Sequence, residues 1–322
     1  MLTDMANAPC NSTSETYDYL CHGMQVSSDI ELPGLLRSVS ETPSDRISVQ
    51  MGSFAEIEPL FRKSPEHALT QYKDGCYRLI IPNLGGLSVR RGELIIHPLR
   101  ADSIQYLLAF LFGTGFAAAL AMRGLCPMHI SVVSLRGKTL AFGGPSGTGK
   151  STAALWFCQK AGASLMADDV ARIDFSSDDQ LLFHRGIARV RLWKDSLDAS
   201  NVNAMAVQPE IWRKPKFAFS LNPAEELTVA AGVLVIPTVR VNEVSEPSLQ
   251  ELRGFEKVRA LTESLYRPDL FGLIAGDMAL HDFLMRVADR LRVYRFYFSK
   301  SFSKMGSEYH YLSARLLDGS IE

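Results

Sequence analysis

Gly144, Pro145, Ser146, Gly147, Thr148, Gly149, Lys150 and Ser151 spell GPSGTGKS, which meets the pattern GxxxxGK followed by Ser or Thr at every fixed position. No other stretch constrains the fold so tightly, and the residue types follow from what such a loop must do. Glycines let the backbone curl until successive N–H groups point inward at phosphate oxygens. A helix starting directly behind the loop turns the positive end of its dipole on the same anion. Lys150 can reach the β- and γ-phosphates, and the Ser151 hydroxyl can hold Mg²⁺. The flanks agree. Thr139–Phe142 reads as a strand leading into Gly143, and Ser151 to Ala161 reads as a helix closed by Gly162. Residues Gly144 through Thr152 are therefore expected to bind a nucleoside triphosphate.

What the loop serves is narrowed by its neighbours. No NKxD guanine reader and no LSGGQ-like signature occurs, so neither the GTPase nor the ABC-type class finds support. Asp168 and Asp169 come 18 residues after Lys150 and end the apolar run Ser164–Ala167, which reads as the next strand. A strand end beside a phosphate loop suits a Mg²⁺ ligand, or a carboxylate that takes a proton from an attacking hydroxyl. Adjacent acids differ in direction, so one can serve a metal while the other faces an acceptor. His129 is read as opening the strand His129–Ser134, whose hairpin turns at Arg136-Gly137-Lys138 and feeds the loop.

Upstream, residues 15–100 read as short strands (Ile47–Met51, Cys76–Ile81, Leu94–His97) with turns at Asp74-Gly75, Asn83 to Gly86 and Arg91-Gly92, plus a helical turn at Glu56–Phe61. The expected organisation is a small α+β domain over residues 1–100, then an α/β domain over residues 101–322. Tyr106–Met122 carries no charge over 17 residues, near the lower limit for a bilayer span. Gly113, Thr114 and Gly115 interrupt it, and Asp102 and Arg123 flank it, so it reads as a helix buried in the protein and not a membrane span. Further on, Thr228–Val239 reads as one strand. Asp277 reads as the cap of a helix with Met278, Leu280, Phe283, Leu284, Val287 and Leu291 on one face. Trp193 reads as a core or hinge residue.

Charge decides against one class of partner. Lys plus Arg is 34 and Asp plus Glu is 35, a net −1 that offers no field for nucleic acid or an anionic membrane. Cys10, Cys21, Cys76, Cys126 and Cys158 are scattered without a CxxC pair, which points to free thiols and a cytoplasmic setting. The N-terminal stretch MLTDMANAPC does not read as a signal peptide.

His129-x-x-x-Val133, Gly137, the GPSGTGKS loop and the Ala167–Asp169 triplet together resemble the catalytic domain of bacterial HPr kinase/phosphorylase, with His129 lying 15 residues before the first loop glycine. The chain resembles more closely the HPr-kinase-like proteins of lasso-peptide biosynthetic clusters. That likeness runs through HGMQVSSDIELPGL from His22, RRGELIIHPLRAD, MRGLCPMHIS and RVRLWKDS at Arg189–Ser196, covering about residues 17 to 200. The resemblance implies a P-loop kinase core similar to phosphoenolpyruvate carboxykinase, using ATP and Mg²⁺. It implies that Lys150 steadies the transferring phosphoryl group, that Ser151 and Asp168 serve the metal, that Asp169 accepts the proton with Asp168 supporting it, and that His129 organises the γ-phosphate site. The implied acceptor is a serine of a peptide or small protein: near the C-terminus of a lasso precursor, or on the HPr carrier. Where relatives carry a glutamate metal ligand, this chain has Phe183-His184, and Lys214 and Lys216 stand where relatives place a basic residue. A homo-oligomer is compatible with the resemblance, although a family-style hexamer is not assumed. The expected activity is an ATP-dependent serine kinase. A small-molecule kinase for free serine or a sugar, or a nucleotide-dependent peptide-binding module, are the alternatives.

Overall fold

The computed structural model describes residues 16–38, 45–194, 197–198, 205–206, 216–221, 223–240, 246–299 and 301–317. Eight strands come first: β1 Tyr17–Cys21, β2 Met24–Ser28, β3 Leu36–Arg37, β4 Arg46–Met51, β5 Leu69–Lys73, β6 Cys76–Ile81, β7 Gly85–Arg90 and β8 Glu93–Pro98. They form one sheet in the order β3-β1-β2-β4-β8-β7-β6-β5, with the short helix α1 (Glu58–Phe61) beside it. Two of its hairpins turn on residue pairs with positive φ, His22-Gly23 and Asp74-Gly75, the backbone that matches the twist of the paired strands.

The apolar segment follows as a helical run over Ala101–Ala121, most of it buried inside the protein. It comprises α2 (Ile104–Phe110), a π-helical turn over Leu111–Gly115, and α3 (Phe116–Ala121). The wider turn falls on the residues that weaken the apolar pattern. Leu107, Leu111, Phe116 and Leu120 are fully buried, and they join one core with Val49, Leu87 and Leu94 of the first sheet and with Met166, Ala171 and Phe271 from beyond it. That core therefore crosses the expected boundary at residue 100.

A second, six-stranded sheet positions the loop. Its order is β12 (Ser164–Ala167), β10 (Ser131–Leu135), β11 (Lys138–Phe142), β19 (Val233–Val239), β21 (Arg292–Phe298) and β20 (Ser248–Leu252). β11 runs antiparallel to β10 but parallel to β19, so its C-terminal end opens where the sheet changes sense. Smaller sheets hold β9 (Pro127–Met128), β13 (Ala171–Phe175), β14 (Leu181–His184) and β18 (Thr228–Ala230), and separately β15 (Arg189–Trp193), β16 (Met205–Ala206) and β17 (Lys216–Ser220). The result is a mixed α/β protein with several sheets.

Several sequence expectations need correction. The strand expected over Thr228–Val239 is two strands in different sheets. They part at Gly232, whose N–H donates to Thr139 Oγ1 at 2.7 Å and where a Cβ would stand 2.3 Å from the Thr139 carbonyl. His129 does not open a strand: β10 begins at Ser131, because the His129 N–H donates to the Ser264 carbonyl (2.7 Å) instead of a ladder partner. Asp277 is the first residue of the helix Asp277–Arg290, and Gly276 occupies the cap position. Met278 is 73% exposed, so it leaves the expected apolar face, whereas Leu284, Val287 and Leu291 are buried. Cys21, Cys76, Cys126 and Cys158 are free thiols. Cys10 and Lys214 lie outside the described residues.

Candidate active site

The loop leaves β11 at Gly143 and ends at Gly149, where the helix α4 (Lys150–Lys160) begins. Gly149 takes φ +97° at the N-cap, a backbone that a side chain would strain, and no side chain caps the helix. Ala153, Ala154, Leu155, Trp156 and Phe157 anchor α4 in the core, so its first turn is rigidly aimed. Lys150 is buried, and its Nζ donates to the carbonyls of Gly144 (2.8 Å) and Pro145 (2.9 Å). The ammonium thus lies folded across the loop it serves.

Strand register brings the acids to this loop. β10 and β12 are antiparallel with Val132 opposite Ala167, so the next residue along, Asp168, meets Ser131. Asp168 is buried and accepts from Ser131 Oγ (2.5 Å), Ser151 Oγ (2.9 Å) and the Arg191 N–H (3.2 Å). Burial pushes its carboxyl above the ordinary range, while those donors pull the other way. Asp169 turns aside with φ +71°, a left-handed backbone uncommon outside glycine. Its carboxylate meets Arg191 Nη1 at 3.0 Å and His129 Nε2 at 3.5 Å. His129 reaches it because β9 pairs with β13, Met128 opposite Ala171.

Two clefts meet at these acids. One is lined by His129, by Ser146, Gly147 and Gly149 to Thr152 of the loop, and by both aspartates, Arg191, Leu192 and Trp193. The other is lined by Ala109, Phe112, Ile187 and Arg189, again with Asp168, Asp169 and Arg191. The structure therefore brings His129, Lys150, Ser151, Asp168 and Asp169 together. His184 stands apart from both linings, beside Arg172 and Asp174. Trp193 lines the first cleft and is half-buried, which corrects its reading as a core residue. The signal is present in RVRLW: on a strand, alternate residues share a face. Arg189, Arg191 and Trp193 face the clefts and are half-buried, while Val190 and Leu192 are buried, Leu192 still touching the first cleft.

The donor set suits a magnesium ion. Ser151 and Asp168 offer hard oxygens, and Mg²⁺ commonly takes one or two protein oxygens and completes its shell with phosphate and water. Among the described residues, no group of three or more His, Cys, Asp or Glu side chains could hold a metal by itself.

Sequence reasoning missed one wall of the site. Ser264 is fully buried; its hydroxyl accepts from the Gly144 N–H (2.8 Å) and donates to the Ala260 carbonyl (2.7 Å). Through these bonds and the one from His129, Ser264 ties the start of the loop to the histidine. Tyr266 follows, its ring edge-on to His129 with centroids 5.9 Å apart. No short motif marks this segment.

No protein-family model matches the sequence. No curated protein matches it either. Among solved structures, the HPr(Ser) kinase/phosphatase from Coxiella burnetii aligns over 59% of this chain and 96% of its own, at 11% identity and a TM-score of 0.29. A likeness that slight carries nothing about the chemistry, which rests on the side chains above.

Proposed function

We propose that this chain is a cytoplasmic P-loop kinase that moves the γ-phosphoryl group of ATP, with Mg²⁺, to a serine hydroxyl of a peptide or small protein. The observation that carries the reading is the position of Asp169 between two clefts, one built on the glycine loop and the other on apolar side chains with Arg189. In-line transfer brings the acceptor hydroxyl to the γ-phosphorus opposite the leaving oxygen, and a carboxylate where a donor cleft meets an acceptor cleft is placed to take that hydroxyl's proton.

Phosphoryl transfer asks for positioning and charge neutralisation more than covalent chemistry. Loop N–H groups and Lys150 would cradle the phosphates. Ser151 and Asp168 would hold the Mg²⁺, which when bound neutralises phosphate charge. Asp169, oriented by Arg191, would take the proton of the serine hydroxyl as that oxygen bonds to the γ-phosphorus. The bond from phosphorus to the β,γ-bridging oxygen breaks, and ADP departs. His129 borders both Asp169 and the loop, where it would order the γ-phosphate. The free thiols fit a reducing compartment.

The test is intact-mass analysis after incubation with Mg-ATP and either a precursor-type peptide ending in serine or an HPr-type carrier. One added phosphate, about 80 Da, that disappears with Lys150→Ala is the expected result. ADP release that depends on Lys150 without labelling of either acceptor would redirect the search to small hydroxyl compounds. ATP bound but never turned over would replace the kinase with a nucleotide-dependent binding module.

A further inference from the structure

The segment behind His129 is built from three separate parts of the chain. Met128 forms an antiparallel bridge with Leu265, flanked by His129 N–H to Ser264 O at 2.7 Å and Tyr266 N–H to Pro127 O at 3.0 Å. These bonds carry the Tyr266 ring to a T-shaped contact with the His129 ring, at an interplanar angle of 88°. The phenol continues past the histidine to the π-helical turn, where its hydroxyl stands 3.5 Å from Thr114 Oγ1. Gly113 makes the space: a Cβ there would lie 2.7 Å from the Tyr266 hydroxyl and 3.6 Å from Asp169 Oδ2. Single π turns are frequent at functional sites, and this one sets a glycine where backbone must approach the tyrosine and the acid. Burial, with Asp169 nearby, keeps the phenol protonated above its usual range. Tyr266 lines neither cleft, so it touches the site through other residues.

We propose that Tyr266 is a positioning residue of the transfer site, its ring fixing the orientation of His129 and its hydroxyl, seated on Gly113 and Thr114, backing the His129–Asp169 pair. The role rests on the kinase reading. It accounts for two features that the loop and the acids leave unexplained, Gly113 within the π turn and the strand-like bridge at Met128.

The experiment compares Tyr266→Phe, Tyr266→Leu, Gly113→Ala and the double change Gly113→Ala with Tyr266→Phe. Phosphate transfer, ATP affinity, melting temperature and the ring-current shifts of the carbon-bound His129 protons are read for each. Removing the ring in Tyr266→Leu should lower kcat about tenfold or more with ATP affinity within about threefold, since small misplacements cost rate before binding. The same variant should move the His129 resonances, in part through loss of the ring current itself, whereas Tyr266→Phe should keep them and lose only the smaller share of the rate that the hydroxyl supports. Gly113→Ala should be impaired, and adding Tyr266→Phe should restore part of the loss, because the clash is with the hydroxyl. Unchanged kcat in Tyr266→Leu overturns the proposal, whatever the His129 resonances do. So does a rate that falls only in step with ATP affinity and melting temperature. Failure of the kinase reading is seen separately, as absence of Lys150-dependent turnover in the unmodified protein. The His129 resonances of Gly113→Ala, which keeps the ring but displaces it, then still report whether the place of Tyr266 sets that of His129.

Discussion

Asp169 combines a left-handed backbone with a carboxylate shared between Arg191 and His129. Its conformation also selects the informative variant. Asn tolerates positive φ at least as well as Asp, so Asp169→Asn removes the charge and leaves the turn intact. Transfer should fall by about 10²-fold or more, the usual contribution of a positioned base, with ATP binding within about threefold and no loss of melting temperature. Equal loss of binding and transfer, measured by calorimetry and intact mass, would remove the case for a base. Asp168 should behave differently. Three donors converge on its buried carboxylate, so Asp168→Ala strands them at a cost of about 1–3 kcal/mol for each group left unsatisfied. That variant should melt at lower temperature whether or not nucleotide is present.

At the level of elements, the helical run Ala101–Ala121 is long and apolar enough to cross a bilayer, yet it is spent inside the protein. Phe116 is completely buried in it, so Phe116→Ala should cost about 3–5 kcal/mol of unfolding free energy in urea titrations. A lipid-facing position would tolerate the change. Local chemistry makes much of this scale legible in the sequence. Asp74-Gly75 and Arg136-Gly137 turn where their composition says, and β6 covers the residues expected of it, because two-residue turns and short alternations are set by near neighbours. The glycine loop and the strand ending at Ala167 belong to the same class. What stays hidden depends on distance along the chain. Tyr266 and Thr114 are 152 residues apart, and neither has a neighbour in sequence that announces the other. His129 fails as a strand residue for a like reason, since its N–H is claimed by Ser264. Trp193 is legible in principle, through the alternation of RVRLW.

Across the whole molecule, the first sheet is fastened to the rest at a buried histidine. The β1–β2 turn inserts His22, whose N–H donates to the Arg185 carbonyl (2.7 Å) and whose carbonyl accepts from Arg172 Nη1 (2.8 Å). Neither ring nitrogen has a hydrogen-bond partner among the described residues, and the ring lies edge-on to Phe116. Burial, then Arg172 and His184, hold its pKa down to about 3, and burial first of all lowers His184 to about 4. The unfolded chain therefore takes up protons that the folded one refuses. Stability contributed by neutral His22 is complete above the unfolded value of 6.5 and is lost as pH falls toward 3. The slope approaches about 1.4 kcal/mol per pH unit for one such group. Urea midpoints recorded from pH 7.5 down to 4.5 should fall steeply, and His22→Asn, which accepts the φ of +52°, should flatten the curve. An unchanged curve would mean that the histidine is not the group being titrated.

The core that runs through residue 100 has a further consequence for anyone who cuts the chain. A nick in the short link between Pro98 and Ala101 would break the covalent path but leave the apolar contacts of the first sheet with Leu107, Leu111 and Phe116 in place. The two pieces should then co-elute as one particle, and the carboxyl-terminal piece made alone should aggregate, because it would present to water the side chains that its missing half now covers.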